Sequence, residues 1–192
     1  MRPDRHWFSK EEIKDIVISV ITLSFIFAYP NMTDLPVSIL AVIIAFLFHE
    51  LAHRYFARKF GCAAFYRMWT TGLLFALVIT VATRGAFKFV APGAVVIYPY
   101  TFGRWGYRIK KLTDREGGII SISGPSVNLF FATIFFLIPG NIGHILSSVN
   151  AWLALFNLLP VPPLDGSKVV RWNMSVWALM FILSIVLVLF NF

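Results

Sequence analysis

Phe46-Leu47-Phe48-His49-Glu50-Leu51-Ala52-His53-Arg54-Tyr55 sets two histidines four residues apart, with a glutamate beside the first, at the end of an apolar run. From Leu35 to Phe48 the only polar residue is Ser38. A run of that length and composition predicts a helix, and on a helix residues i and i+4 lie one above the other. His49 and His53 can therefore point at one atom, and Glu50, about 100° round the helix, can reach a water held between the two imidazoles. The pattern is that of a zinc pair with a general base at its side. Ionisable groups set in membrane-grade sequence are costly, and that cost points to function rather than to chance.

Working outward, the whole chain has the same character. Of 192 residues, 58% are hydrophobic and 14% charged, and the mean hydropathy is +0.77. That is more apolar surface than a soluble domain of this length can hide, so we expect an integral membrane protein embedded in a lipid bilayer. The net charge of +8 would point a soluble chain toward nucleic acid. Here the basic residues cluster between apolar segments, where they report topology, and no nucleic-acid partner is expected. Cys62 is the only cysteine, which excludes an internal disulfide, and it reads as a small packed residue. Residues 1–15 carry four basic and four acidic side chains with no small-residue cleavage pattern after them, and read as an interfacial leader with Trp7 and Phe8 at headgroup level rather than a signal peptide.

Apolar segments run at about 13–30, 35–60, 69–83, 117–138, 143–160 and 173–191, punctuated by Pro30, Pro36, Gly61, Gly117-Gly118 and Pro139-Gly140. The expected fold is thus an all-α polytopic membrane protein of about six apolar segments, forming one domain over residues 1–192. The stretch 84–116 is different. Ala86 to Tyr98 is rich in β-formers around Pro92-Gly93, which predicts a small re-entrant or membrane-associated β-hairpin near 86–112. Such backbone within a bilayer must be paired or buried, and an open strand edge there is a place to hold an extended substrate.

Charge counting orders the segments. Were 69–83 a simple crossing, the 17 basic residues would divide almost evenly between the two sides of the membrane. A net return over 69–100, with only Arg84 and Lys88 at its far turn, puts all the others on the side of the N-terminus, which becomes the cytosol. Whether 69–83 spans or re-enters stays open at this point. The same return matters for the metal, because a catalytic zinc uses three protein ligands and a water. His6 and His144 read as interfacial histidines. Asp165, the only acidic residue after Glu116, lies between apolar helices, where Pro160, Pro162 and Pro163 stop the chain from continuing helically. His53 and Asp165 can meet only if an even number of crossings separates them, and the two segments after Glu116 satisfy this only with the return over 69–100.

With these pieces in place the sequence resembles the site-2 protease family of intramembrane zinc metalloproteases. Three motifs in order carry the likeness: His49-Glu50-Leu51-Ala52-His53, Gly124-Pro125-Ser126-Val127-Asn128 and Asn157-Leu158-Leu159-Pro160…Leu164-Asp165-Gly166. Together they cover about 36–172, the expected catalytic core. The resemblance implies one zinc per chain on His49, His53 and Asp165, Glu50 as catalytic base, Asn157 on the substrate backbone, and Gly124 and Asn128 packing the core helices. It implies cleavage of single-pass membrane-protein substrates in or near their spanning helices. The chain departs from many members of that family in having no room for PDZ or CBS domains, so a minimal form is expected; its small size favours a prokaryotic plasma membrane, and the charge count puts the opening of the site toward the cytosol. A different class, a transporter or scaffold retaining a relic metal motif, would carry the same residues without activity. A CAAX-type protease would need a downstream glutamate as third ligand, and Glu116 has no neighbour that recommends it.

Overall fold

The computed structural model describes residues 8–90, 92–98, 100–103, 106–109 and 111–191; His6 and Trp7 lie outside them. Ser9 starts the first helix, α1 (Lys10–Ala28), through a capping box with Glu12, so that an orphan N–H at each end of the box is satisfied. Pro36 opens the long apolar helix α2 (Leu35–Lys59), which carries His49, Glu50 and His53. After Gly61 the chain becomes extended in β1 (Ala63–Met68), leaves through α3 (Thr70–Ala82) and comes back as β2 (Gly93–Tyr98). A hairpin follows, β3 (Tyr100–Gly103) with β4 (Gly106–Ile109). Thr113 caps α4 (Asp114–Phe136), again through a capping box, with Glu116. The remaining helices are α5 (Asn141–Asn157), α6 (Asp165–Trp172) and α7 (Met174–Phe190).

Two features differ from the sequence expectation. Seven α-helices occur among the described residues, but only Met32–Lys59 and Asp114–Phe136 are long and apolar enough to cross a membrane, not about six. The reason is length and composition together: α3 has 13 residues and α7 17, short of the roughly 20 a span needs, while Asn141, His144, Ser147, Ser148 and Asn150 interrupt α5. Apolar content alone does not separate a spanning helix from a shorter one that packs against it. The fold is also not all-α. Pro92-Gly93 is not the centre of a turn; it opens β2, which pairs antiparallel with β1 in the register Met68↔Gly93 to Ala63↔Tyr98. The local hairpin lies further on, at β3–β4.

The excursion through α3 does return to its origin, since Trp69 N–H donates to Pro92 O at 2.8 Å and closes the base of the loop. The helices pack most closely around α4, which lies against α2, α5 and α6. One apolar cluster joins Leu23 and Ile26 of α1, Val42, Ala45 and Phe46 of α2, and Val149 and Leu153 of α5. Tyr66 of β1 is buried in that cluster, its ring edge-on to Phe46 and its hydroxyl 2.8 Å from Ser19 Oγ, and burial pushes its phenol well above the ordinary range. The sheet is thereby held against the helix that bears the two histidines.

Candidate metal centre

On α2, His49 and His53 face inward at 3% and 4% exposure, one turn apart. Each spends its Nδ1 on a carbonyl oxygen: His49 on Asn128 Oδ1 at 2.6 Å, His53 on Ile120 O at 2.7 Å. The Asn128 amide orientation follows from its own bonds, because Nδ2 donates to Ala45 O at 2.9 Å and to Asn150 Oδ1 at 3.2 Å, which turns the oxygen to His49. A carbonyl can only accept, so both Nδ1 atoms carry the proton, and the tautomer this selects is the one that presents its lone pair on Nε2 to a metal. Those two Nε2 atoms lie 2.9 Å apart, with Asp165 Oδ2 3.0 Å from one and 3.6 Å from the other. Two lone pairs and a carboxylate oxygen brought together in a buried place repel unless a cation lies among them. The donor set of two imidazoles and a carboxylate fits zinc.

Asp165 comes to this point because of the chain before it. Helix α5 stops at Asn157, prolines at 160, 162 and 163 prevent its continuation, and α6 begins on Asp165 itself. Gly166 allows the close approach: a Cβ there would lie 2.1 Å from Leu158 O. Lys168, one turn further along α6, sets a positive charge beside the Asp165 carboxyl. Lys168 Nζ stands 3.7 Å from Oδ1, the oxygen not shared with the histidines. The sequence reading passed over Lys168; its i+3 spacing from Asp165 on a helix was the available signal.

The second motif lies where α4 packs against α2. Gly124 touches the histidines themselves, for a Cβ there would lie 2.5 Å from His53 Nε2 and 2.6 Å from His49 Nε2. Asn128 orients His49 and joins α2, α4 and α5 in one buried hydrogen-bonded set, with Asn150 continuing it to Leu146 O. Outer-shell partners of this kind change metal affinity by about 10–100-fold. Asn128→Leu should therefore weaken zinc binding by that order while the helical content holds, and a competitive chelator titration measures it.

Glu50 lines the same cavity, of about 170 Å³, with His49, His53, Asp165, Asn157 and Lys168. Its Oε2 is sealed from solvent and has no hydrogen-bond partner among the described residues. Asn157 closes α5 and spends one amide hydrogen on Leu153 O at 2.9 Å. Across the cavity runs β2 from Gly93 to Ile97, with Arg67 and Trp69 beside it. His144 lines a second cavity, of about 440 Å³, and Glu116 serves as the N-terminal cap partner of α4. His49, His53 and Asp165 form the one group of three potential metal ligands among the described residues.

No family model matches the chain, and no solved structure matches it. Two curated relatives do. Over 183 residues, 90% of each chain, it is 40% identical to "Putative zinc metalloprotease MJ0611" of Methanocaldococcus jannaschii. Over 170 residues, 76% of this chain and 72% of the relative, it is 31% identical to "Putative zinc metalloprotease YwhC" of Bacillus subtilis. A ligand set that asks for zinc and relatives named for the same metal and reaction, aligned over most of their length, lead to one conclusion: the chain belongs to a family of zinc metalloproteases.

Proposed function

We propose that this chain is an intramembrane protease of the site-2 type, binding one zinc and cutting membrane-protein substrates in or beside their spanning helices. The observation that carries the reading is the position of His49 and His53 on the apolar helix α2, with Asp165 of α6 beside them, facing an edge of β2 that pairs with no strand among the described residues. The outer surface agrees with a lipid setting. On α7, Leu179, Ile182, Leu183, Val186, Leu189 and Phe190 form a stripe at helical spacing that is turned outward, the reverse of a water-soluble helix. Exposed Arg58 and Lys59 end α2 some 8–15 Å beyond the histidines, which favours a site near the cytosolic face of a prokaryotic plasma membrane.

Zinc, when bound, supplies a Lewis acid that acidifies water and polarises a carbonyl. The rest falls to the chain. Glu50 accepts the proton of the attacking water and passes it to the leaving amine as the peptide bond breaks. A helical substrate hides its carbonyls in its own hydrogen bonds, so the scissile segment must be extended before attack. The outer edge of β2 takes that segment as an added strand, and Asn157 holds its backbone from the other side of the cavity.

Strand geometry identifies the edge. Tyr66 and Met68 turn their N–H groups away from β2, and their partners Val95 and Gly93 therefore turn theirs away from β1; Ile97 follows by alternation. Val95→Pro removes one outward N–H without touching the β1 ladder. It should raise KM for fluorescein-labelled casein in detergent by about tenfold while zinc content stays the same. For the intramembrane reading, new chain ends mapped by mass spectrometry in membranes of expressing cells should fall within or next to apolar spans. Ends confined to soluble loops would sink it.

A further inference from the structure

The edge of the sheet opposite the metal is closed by α1. Tyr66 N–H donates to Glu12 Oε1 at 2.8 Å and Met68 N–H to Asp15 Oδ2 at 3.4 Å, so two carboxylates one helical turn apart occupy the positions a third strand would take. Glu12 is 1% exposed and also pairs with the guanidinium of Arg54, the residue that follows His53 on α2. Its other oxygen accepts Ser9 N–H in the capping box of α1. One side chain thus joins α1, the histidine-bearing helix and the sheet. A buried ion pair contributes little net stability, because desolvation offsets the attraction. What this pair supplies is geometry.

We propose that Glu12 is a positioning residue for substrate. It occupies the outer edge of β1 and ties the sheet to the turn of α2 after His53, so that the Val95–Ile97 edge stands open and at a fixed distance from the metal ligands. The inference rests on the reading of that edge as the substrate's dock. Glu12 lies outside the ligand group, so its effect is on where the extended segment sits and not on the metal or the proton transfer.

Removing Glu12 alone would leave the buried Arg54 charge without that carboxylate, so the test uses two double variants of the full-length, zinc-loaded protein. E12M/R54M removes both charges and the acceptor for Tyr66 N–H; E12Q/R54M removes both charges and keeps an acceptor. Expected for the first are wild-type zinc content, KM for fluorescein-labelled casein raised about tenfold with kcat within about twofold, and amide exchange at Tyr66 at least about tenfold faster. The second should return KM and exchange close to wild type. The proposal is overturned if both doubles keep the wild-type KM, if both are impaired alike, or if E12M/R54M loses zinc. If instead Val95→Pro leaves KM unchanged, the docking edge itself is wrong, whatever the Glu12 variants do.

Discussion

Gly124→Ala should abolish zinc binding and activity together, while Gly117→Ala on the same helix leaves both intact. The two glycines differ in what a methyl group would meet. At Gly117 nothing lies within 4 Å, and alanine there is neutral or slightly stabilising because it reduces the freedom of the unfolded chain. At Gly124 the methyl carbon would lie 2.5–2.7 Å from Nε2 of both histidines and Cε1 of His49. One set of atoms must move. The backbone of α4 is packed against α2, α5 and α6, so the imidazoles are the side that gives way. Moving them strains the bonds to Asn128 Oδ1 and Ile120 O and displaces the Nε2 atoms that hold the metal. With both outer-shell bonds compromised, the loss of zinc affinity should be at least about 100-fold. Zinc per chain by atomic absorption, beside far-ultraviolet circular dichroism for helix content, measures this directly. Retained zinc in Gly124→Ala would mean that the close approach of α4 to the histidines is not as described.

That role could not be read from Gly124-Pro125-Ser126-Val127-Asn128 as a string. Spacing along one helix reports which residues share a face, and this is why His49 and His53 were legible together. Asp165 was legible as the one acidic residue after Glu116, beside three prolines between apolar segments; the crossing count offered for it assumed two spans after Glu116, of which only Asp114–Phe136 is long and apolar enough to cross. What a glycine on a second helix touches on the first depends on crossing geometry, which no single segment encodes. The sheet was hidden for a related reason. Ala63–Met68 is short and pairs with residues about 25–35 positions later, so Gly93–Tyr98 reads as half of a local hairpin and its true partner goes unseen. Pro92-Gly93 pointed to a turn by its chemistry, yet Trp69 N–H bonds Pro92 O and tertiary pairing decides the conformation there. The count of apolar segments failed because the short helices carry apolar stripes on the outside as well as in the core.

Glu50→Gln should give the complementary result: zinc retained, catalysis lost. Glu50 follows His49 and lines the same cavity, but it is not one of the three groups that converge on the metal position. Glutamine has the same shape and no basic oxygen able to take a proton from water. General-base catalysis is worth about 10²–10⁴-fold, so kcat should fall by that order with KM little changed. Stability should not fall with it. Oε2 of Glu50 is buried without a hydrogen-bond partner among the described residues, and ionising a carboxyl there carries a desolvation cost that a neutral amide does not. The expected pattern is therefore a thermal midpoint equal to or above wild type, full zinc, and a rate reduced a hundredfold or more. It separates the two halves of the chemistry, since Gly124→Ala fails for want of metal and Glu50→Gln fails with the metal in place. If Glu50→Gln kept a rate within about threefold of wild type, the proton would have to be carried by another group. The cavity holds one other candidate anion, Asp165, which is already committed between the two histidines and Lys168.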